Sequence, residues 1–298
     1  MARTNSISVR TLLISDVHLG CKHAQTNECL HFLQTHSPEQ VFIAGDFIDA
    51  WKINSGWHWS KACDEIIAHI ADWARTGTRI HYVPGNHDAF LRDQNLRALF
   101  PSGLREVEIE DEFVLETLRG WRFLVTHGDR FDVFETHAQW ISKQSSMFYD
   151  ACLSLNWCFA QLALAKRKNP YQACAVVKDR VKRAIRFISN FESKLSQHAA
   201  SQGCHGVICG HIHTPDVVYS ESMLYCNTGD WIENCTGIVE HHNGSIQLVS
   251  RYGQDRTLQL PDLHSLSNHA SFGADGSNEI DFDRDPLEQT CDATARVA

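Results

Sequence analysis

Short apolar runs rich in β-branched residues recur along the chain, and each stops abruptly at polar residues. They are TLLIS before Asp16, VFIAG before Asp46, RIHYV before Pro84, RFLV before Thr126 and HGVIC before Gly210. Continuous apolar stretches of this length suit strands buried on both faces. Helical patterns lie between the early ones, NECLHFLQTH and KACDEIIAHIADWART. Strand alternating with helix predicts an α/β architecture. In such sheets ligands gather beyond the carboxyl ends of the strands, which is where the polar clusters sit.

Strand patterns vanish between residues 134 and 200, where only helical ones remain. Val177, Val181, Ala184, Ile185, Ile188 and Leu195 fit one helical face. This stretch is expected to be a helical cap inserted over the sheet ends. Strand patterns return after Gly203, and TGIVEHHNGSIQLVSRY reads as a hairpin turning at Asn243-Gly244. Residues 1–252 are thus expected to form one domain. Residues 253–298, rich in Ser, Asn, Asp and Gly, read as a disordered acidic tail.

Composition changes this picture in three ways. The net charge of −9 is uneven. Residues 261–298 hold eight acidic and two basic residues, whereas Lys166 to Arg186 holds eight basic and one acidic. A basic segment inside an acidic protein points to a local anionic partner and away from nucleic acid. The 11 cysteines include no CxxC pair, which suits buried free thiols of a reducing compartment. Neither a signal-peptide core nor a membrane-length apolar run is present in the sequence, so a cytoplasmic protein, at most peripheral to a membrane, is expected.

The strand ends share a chemistry. The first carries Asp16 and His18, the second Asp46 and Asp49, the third Asn86, His87 and Asp88, the fourth His127 and Asp129, and the fifth His211 and His213. A lone Asp-x-His is more often a surface pair or a cap, and Pro84-Gly85 alone is only a turn. Five such clusters in order, all at strand ends, are not accounted for by local structure. Oxygen and nitrogen donors without thiolate suit Mn, Fe or Zn. Seven candidates (Asp16, His18, Asp46, Asn86, His127, His211 and His213) exceed one tetrahedral site but suit two octahedral ions sharing a carboxylate. Two such ions about 3.5–4 Å apart can clamp an in-line displacement at phosphorus, one of them acidifying the attacking water.

The set DVH, GDFID, GNHD, THGD and GHIH, spanning residues 16–213, resembles the calcineurin-like metallophosphoesterases. The resemblance implies a four-layer α/β/β/α sandwich with a dimetal site at the strand ends. It implies Asp16, His18 and His213 on one ion, Asn86, His127 and His211 on the other, and Asp46 bridging. His87 would face the phosphate as general acid or charge stabiliser, with Asp88 orienting it.

VFIAGDFIDAW, THGDRFD, CGHIHTP and NTGDWIENCTGIVEH further resemble the UDP-2,3-diacylglucosamine diphosphatase branch, which also carries a helical insertion. That implies cleavage of a lipid-linked UDP-sugar pyrophosphate in lipid A synthesis to UMP and a diacylglucosamine 1-phosphate, usually with Mn, at the inner face of a bacterial membrane. FYDACLSLNWCFAQLALA would line an acyl groove or simply pack helices. Lys166, Arg167, Lys168, Lys178 and Lys182 would meet substrate phosphates or an anionic membrane surface, or form a solvated face. Asp49 and Trp51 are further candidate substrate contacts; Trp51, Trp57 and Trp59 either wall the site or pack in the core. One departure stands out: the branch typically has Arg where this chain has His87, as the wider superfamily does. A hydrolase of a soluble nucleotide or other phosphoester, and a non-catalytic scaffold, are the rival readings. Neither the oligomeric state nor the acyl preference is legible.

Overall fold

The computed structural model describes residues 6–54, 56–93, 95, 107–132, 191–220, 223–253 and 255–260. Two sheets carry the fold. The larger joins β1 (Ile7–Ile14), β2 (His36–Ala44), β3 (Arg79–Val83) and β4 (Glu108–Ile109) in parallel, with β10 (Thr236–Glu240), β11 (Ile246–Ser250) and β12 (Arg256–Thr257) added antiparallel. Its order is β12-β11-β10-β1-β2-β3-β4. The smaller has the order β5-β6-β7-β9-β8, built from β5 (Glu112–Glu116), β6 (Arg122–Thr126), β7 (Gly206–Cys209), β8 (Asp216–Ser220) and β9 (Met223–Asn227).

Helices cover the outer faces. In α2 (Lys61–Arg75) the buried residues are Ala62, Cys63, Ile66, Ile70 and Trp73, a helical stripe. Together with Cys29, Leu30 and Leu33 of α1 (Thr26–Gln34) they pack on Val41 and Ile43 of β2 and Ile80 of β3. On the other side α3 (Phe191–Ser201) lays Phe191, Leu195 and Ala199 over Leu124, Val207 and Tyr225. Each buried Leu, Ile or Phe side chain contributes about 1.5–3 kcal/mol. Between the sheets Phe42 meets Phe113, and His81 stacks on Phe42. The chain is therefore the α/β/β/α sandwich expected of a metallophosphoesterase.

Details differ from the sequence pattern. The helix expected through residue 36 stops at Gln34, because Thr35 and His36 turn their side chains back onto the Phe32 carbonyl. β2 then starts at once and runs through Pro38, which the apolar pattern did not include. The short, charged β4 and β5 gave no apolar run to read. β12 lies past residue 252, where the domain was expected to end. Of the stretch expected to be a cap, residues 191–200 belong to α3, which packs against the smaller sheet. Residues 134–190 and 261–298 lie outside the described residues, and with them the expected acyl groove, basic segment and tail.

A polar knot ties the two sheets. Glu240, fully buried on β10, accepts hydrogen bonds from Arg10 Nη1 (2.8 and 2.9 Å), Thr11 Oγ1 (2.6 Å) and the Leu118 backbone N–H (2.7 Å). Arg10 also donates to the Glu116 carbonyl at the edge of the smaller sheet. Removing one member leaves the others buried without partners. Glu240→Ala is expected to cost about 2–3 kcal/mol, read as a lower denaturant midpoint with unchanged slope.

Candidate metal centre

The donors sit where strands end, and the backbone there is unusual. Asp16, His18, Asp46, His211 and His213 all adopt positive φ, between 51° and 68°. Among the described residues only Cys235 joins them outside glycine. Left-handed backbone is costly for residues with a Cβ and tends to collect at functional sites. Here it turns the chain back at the strand ends. Asp16 N–H donates to the Gly45 carbonyl (3.0 Å), His18 N–H to the Asp46 carbonyl (2.9 Å), and His211 N–H to Asp16 Oδ2 (3.0 Å). Gly85 is required by crowding: a Cβ there would overlap the Asp46 carboxylate.

Asp46 lies at the centre. Its Oδ1 accepts from the His87 backbone N–H at 2.8 Å, and its Oδ2 lies 3.3 Å from His127 Nε2. His87 Nε2 and His18 Nε2 stand 3.9 and 4.0 Å from the same oxygen. His127 Nδ1 is 2.8 Å from the Ala44 carbonyl, so it donates there and turns Nε2 toward Asp46 and Asn86 Oδ1 (3.2 Å). On the other flank Asp16 Oδ1 is 3.1 Å from His213 Nε2, which is 3.3 Å from His18 Nε2. Asn234 Nδ2 holds the His213 carbonyl at 3.0 Å.

Three sets of side chains converge tightly enough to hold an ion: Asp16, His18 and His213; Asp16, Asp46 and His127; and His18, Asp49 and His87. The first two share Asp16. Asp16 Oδ1 and His18 Nδ1 are buried with no well-aligned hydrogen bond, although His213 and Asp49 lie near them. Oxygen and imidazole donors, buried and short of hydrogen bonds, fit a divalent first-row ion. His211 falls in none of the three sets; its Nε2 lies 3.1 Å from Asp132 Oδ2.

The third set is a hydrogen-bonded group around His87. Asp49 Oδ1 takes His87 Nδ1 at 2.8 Å, Trp51 stacks on the imidazole (ring centres 3.9 Å apart, 24° between planes), and His18 meets it edge-on at 4.6 Å. Asp88 was expected to orient His87, and it does not. Its Oδ1 accepts from Gly85 N–H (2.6 Å), and its Oδ2 from Phe47 N–H (2.8 Å) and the Tyr82 hydroxyl. Asp88 thus points into the protein and binds the Pro84-Gly85 turn to the end of β2, leaving Asp49 to orient the ring. Trp51 is at the site. Trp57 stacks on Trp59, which packs on the core. Lys166, Arg167, Lys168, Lys178 and Lys182 lie outside the described residues. Sequence reasoning gave no role to Arg92, Asp132 or Asn234; THGDRFD and NTGDWIENC were the only signals for the last two.

Buried charges set the electrostatics. Burial pushes the Asp16 carboxyl up, but His213 and then His127 outweigh it and hold it at about 2. Burial disfavours a charged His18, yet Asp49, Asp46 and Asp16 raise it to about 9. Against the same burial, His127 and His87 draw Asp46 well below the carboxylate range, and Asp46 draws His127 well above the imidazole range. Without an ion, protons on His18 and His127 offset the buried carboxylates.

This fixes a pH dependence. Stabilisation from His18 is complete below 6.5 and is lost as pH climbs through about 9. Stabilisation from Asp16 is present above 3.8 and is lost as pH falls through about 2. Metal-free protein should therefore be most stable between about pH 4 and 6.5. A divalent ion binds deprotonated imidazole, so the stabilisation it adds should grow above that window. Thermal unfolding with chelator and with added ion, from about pH 6 to 9, should give a falling Tm in the first series and a widening gap between the two. A gap that narrows contradicts the assignment.

With the geometry described, comparisons add the following. A family model described as calcineurin-like phosphoesterase matches residues 9–215. A UDP-2,3-diacylglucosamine hydrolase of Psychromonas ingrahamii is 22% identical over 261 residues, 82% of this chain and 98% of that one. One of Xanthomonas campestris pv. campestris is 26% identical over 242 residues, 75% of this chain and 92% of its own. Among solved structures, a dimetal phosphatase from Danio rerio matches 84% of this chain and 98% of its own, with TM-score 0.44 and 14% identity.

Proposed function

The chain belongs to the calcineurin-like phosphoesterase family and is a metal-dependent phosphoester hydrolase, and we propose that its substrate is a UDP-linked, diacylated glucosamine. The reaction would add water across the pyrophosphate, releasing UMP and a diacylglucosamine 1-phosphate. Relatives named for that substrate match three quarters or more of this chain, which supports the reading. For the chemistry, the observation that carries it is the convergence of Asp16, His18, Asp46, His127 and His213 at the strand ends.

We assign Asp16, His18 and His213 to one divalent ion, Asn86, His127 and His211 to a second, and Asp46 to both, with manganese as the metal. When bound, such ions acidify a water and neutralise charge developing at phosphorus. The chain's own residues do the rest. Asp49 accepts the Nδ1 proton of His87 and so leaves Nε2 to face the substrate. When the ring also carries a proton on Nε2, as the imidazolium paired with Asp49, that nitrogen can donate it to a phosphate oxygen or to the departing group. Trp51 covers one face of the ring and keeps that direction fixed.

His87 is also the observation that favours a second reading. Arg would grip a pyrophosphate through a fixed charge, whereas His transfers a proton, which suits a soluble nucleotide or other phosphoester. A scaffold role is disfavoured because every expected donor position holds a competent residue. An acylated substrate would be met at a membrane surface, and no helix among the described residues is long and apolar enough to cross one.

Purified protein with Mn2+ should release UMP from UDP-2,3-diacylglucosamine much faster than it cleaves bis-p-nitrophenyl phosphate. Cleavage of the diester alone would reject the lipid substrate and favour the second reading. His87→Ala should retain bound metal by elemental analysis while turnover falls about 10²–10⁴-fold. Loss of metal in that variant would make His87 a ligand instead.

A further inference from the structure

The six residues from His127 to Asp132 form one short loop after β6, anchored from below. Gly128 sits against Phe191 of α3, where a Cβ would come within 2.8 Å of the ring, and Phe131 packs into the same cluster. The loop sends side chains in three directions. His127 turns Nε2 to Asp46 and Asn86. Asp129 takes Arg92 Nη2 on both oxygens, at 2.9 and 3.2 Å. Asp132 Oδ2 takes His211 Nε2 at 3.1 Å.

Arg92 makes the second contact consequential. The same Nη2 donates to the Pro84 carbonyl at 2.7 Å, and Nη1 reaches the Gly85 carbonyl at 3.3 Å. Those are the two peptide groups immediately before Asn86 and His87. Asp129 therefore holds, through one guanidinium, the turn that presents both residues. Asp132 acts on a side chain instead. By accepting the Nε2 proton of His211 it leaves Nδ1 as the lone-pair nitrogen, the arrangement in which a carboxylate orients a ligating imidazole and raises its basicity.

We propose that Asp129 and Asp132 are positioning residues for one ion of the pair, that of Asn86, His127 and His211. This rests on the metal assignment made under the proposed function. All three donors are then set by one loop: His127 directly, Asn86 through Arg92, and His211 through Asp132. The ion of Asp16, His18 and His213 draws on other supports, Asn234 among them. A plain structural staple would instead weaken the fold, and with it both ions, alike. Glu28 of α1 supplies the control. It takes Arg251 Nε at 2.5 Å, an ion pair between other elements.

Full-length protein, stripped with chelator, is titrated with Mn2+ in a calorimeter, with metal-free thermal unfolding alongside. Wild type is expected to take two ions. Asp129→Ala and Asp132→Ala should each keep one ion within about twofold of wild-type affinity and bind the other about 10–100-fold more weakly. Glu28→Ala should bind both as wild type does. Asp129→Asn and Asp132→Asn, which keep side-chain shape, replace either alanine variant that fails to fold and should show the same one-site loss. Two ions at unchanged affinity in the variants, or equal weakening of both, would overturn the positioning role while leaving the metal assignment intact. A wild type that binds no ion would remove both together.

Discussion

Asp46 is almost wholly withdrawn from water, with one oxygen on the His87 backbone and the other beside His127 and within 4.0 Å of His18 and His87. A carboxylate so placed must be compensated, because burying an unpaired charge costs far more than a typical hydrogen bond returns. The surrounding architecture supplies that compensation. β2 ends where it does so that Asp46 meets the Pro84-Gly85 turn. Gly85 lacks a Cβ because the carboxylate occupies that space. Asp88 pins the turn from behind through Gly85, Phe47 and Tyr82. In these terms two consecutive residues of one motif face opposite ways: His87 toward Asp46 and Asp49, Asp88 toward the support.

The five donors in left-handed backbone show the cost of this arrangement. Each sparsely populated conformation costs on the order of 1–3 kcal/mol, and they share one small volume. Asp and His tolerate such φ values better than branched residues do. Even so, the strain persists only because the flanking backbone bonds to Gly45, Asp46 and Asp16 over-determine it. Stability here comes from the sheets and their helices and is drawn down at the strand ends.

What could be read from the sequence follows from the same division. The five strands that lead into the donors were legible because their apolar runs are nearly continuous, and a change to polar residues marked each end. The donors were legible because their residue types have no other reason to recur at those ends. Asp88 received the orienting role because it follows His87 in the motif, whereas Asp49, from a distant motif, was read only as a candidate substrate contact. Only side-chain direction separates the one on the ring from the one beneath the turn. Arg92 was illegible for a different reason: its partners are two carbonyl groups and a carboxylate from another loop, and backbone acceptors leave no trace in residue type. β4 and β5 escaped because strands at a sheet margin need little apolar character.

The donor order along the chain has its own consequence. Asp16 receives the His211 backbone N–H across 195 residues, and the other donors come from both sheets between them. No fragment lacking either sheet can therefore assemble the centre. During synthesis the Asp16 half emerges first and stays an incomplete chelator until β7 and the turn after it have been made and docked. Contacts of such long range are slow to form. Metal loading should thus report completion of the whole sandwich, as a lock whose last pin arrives late.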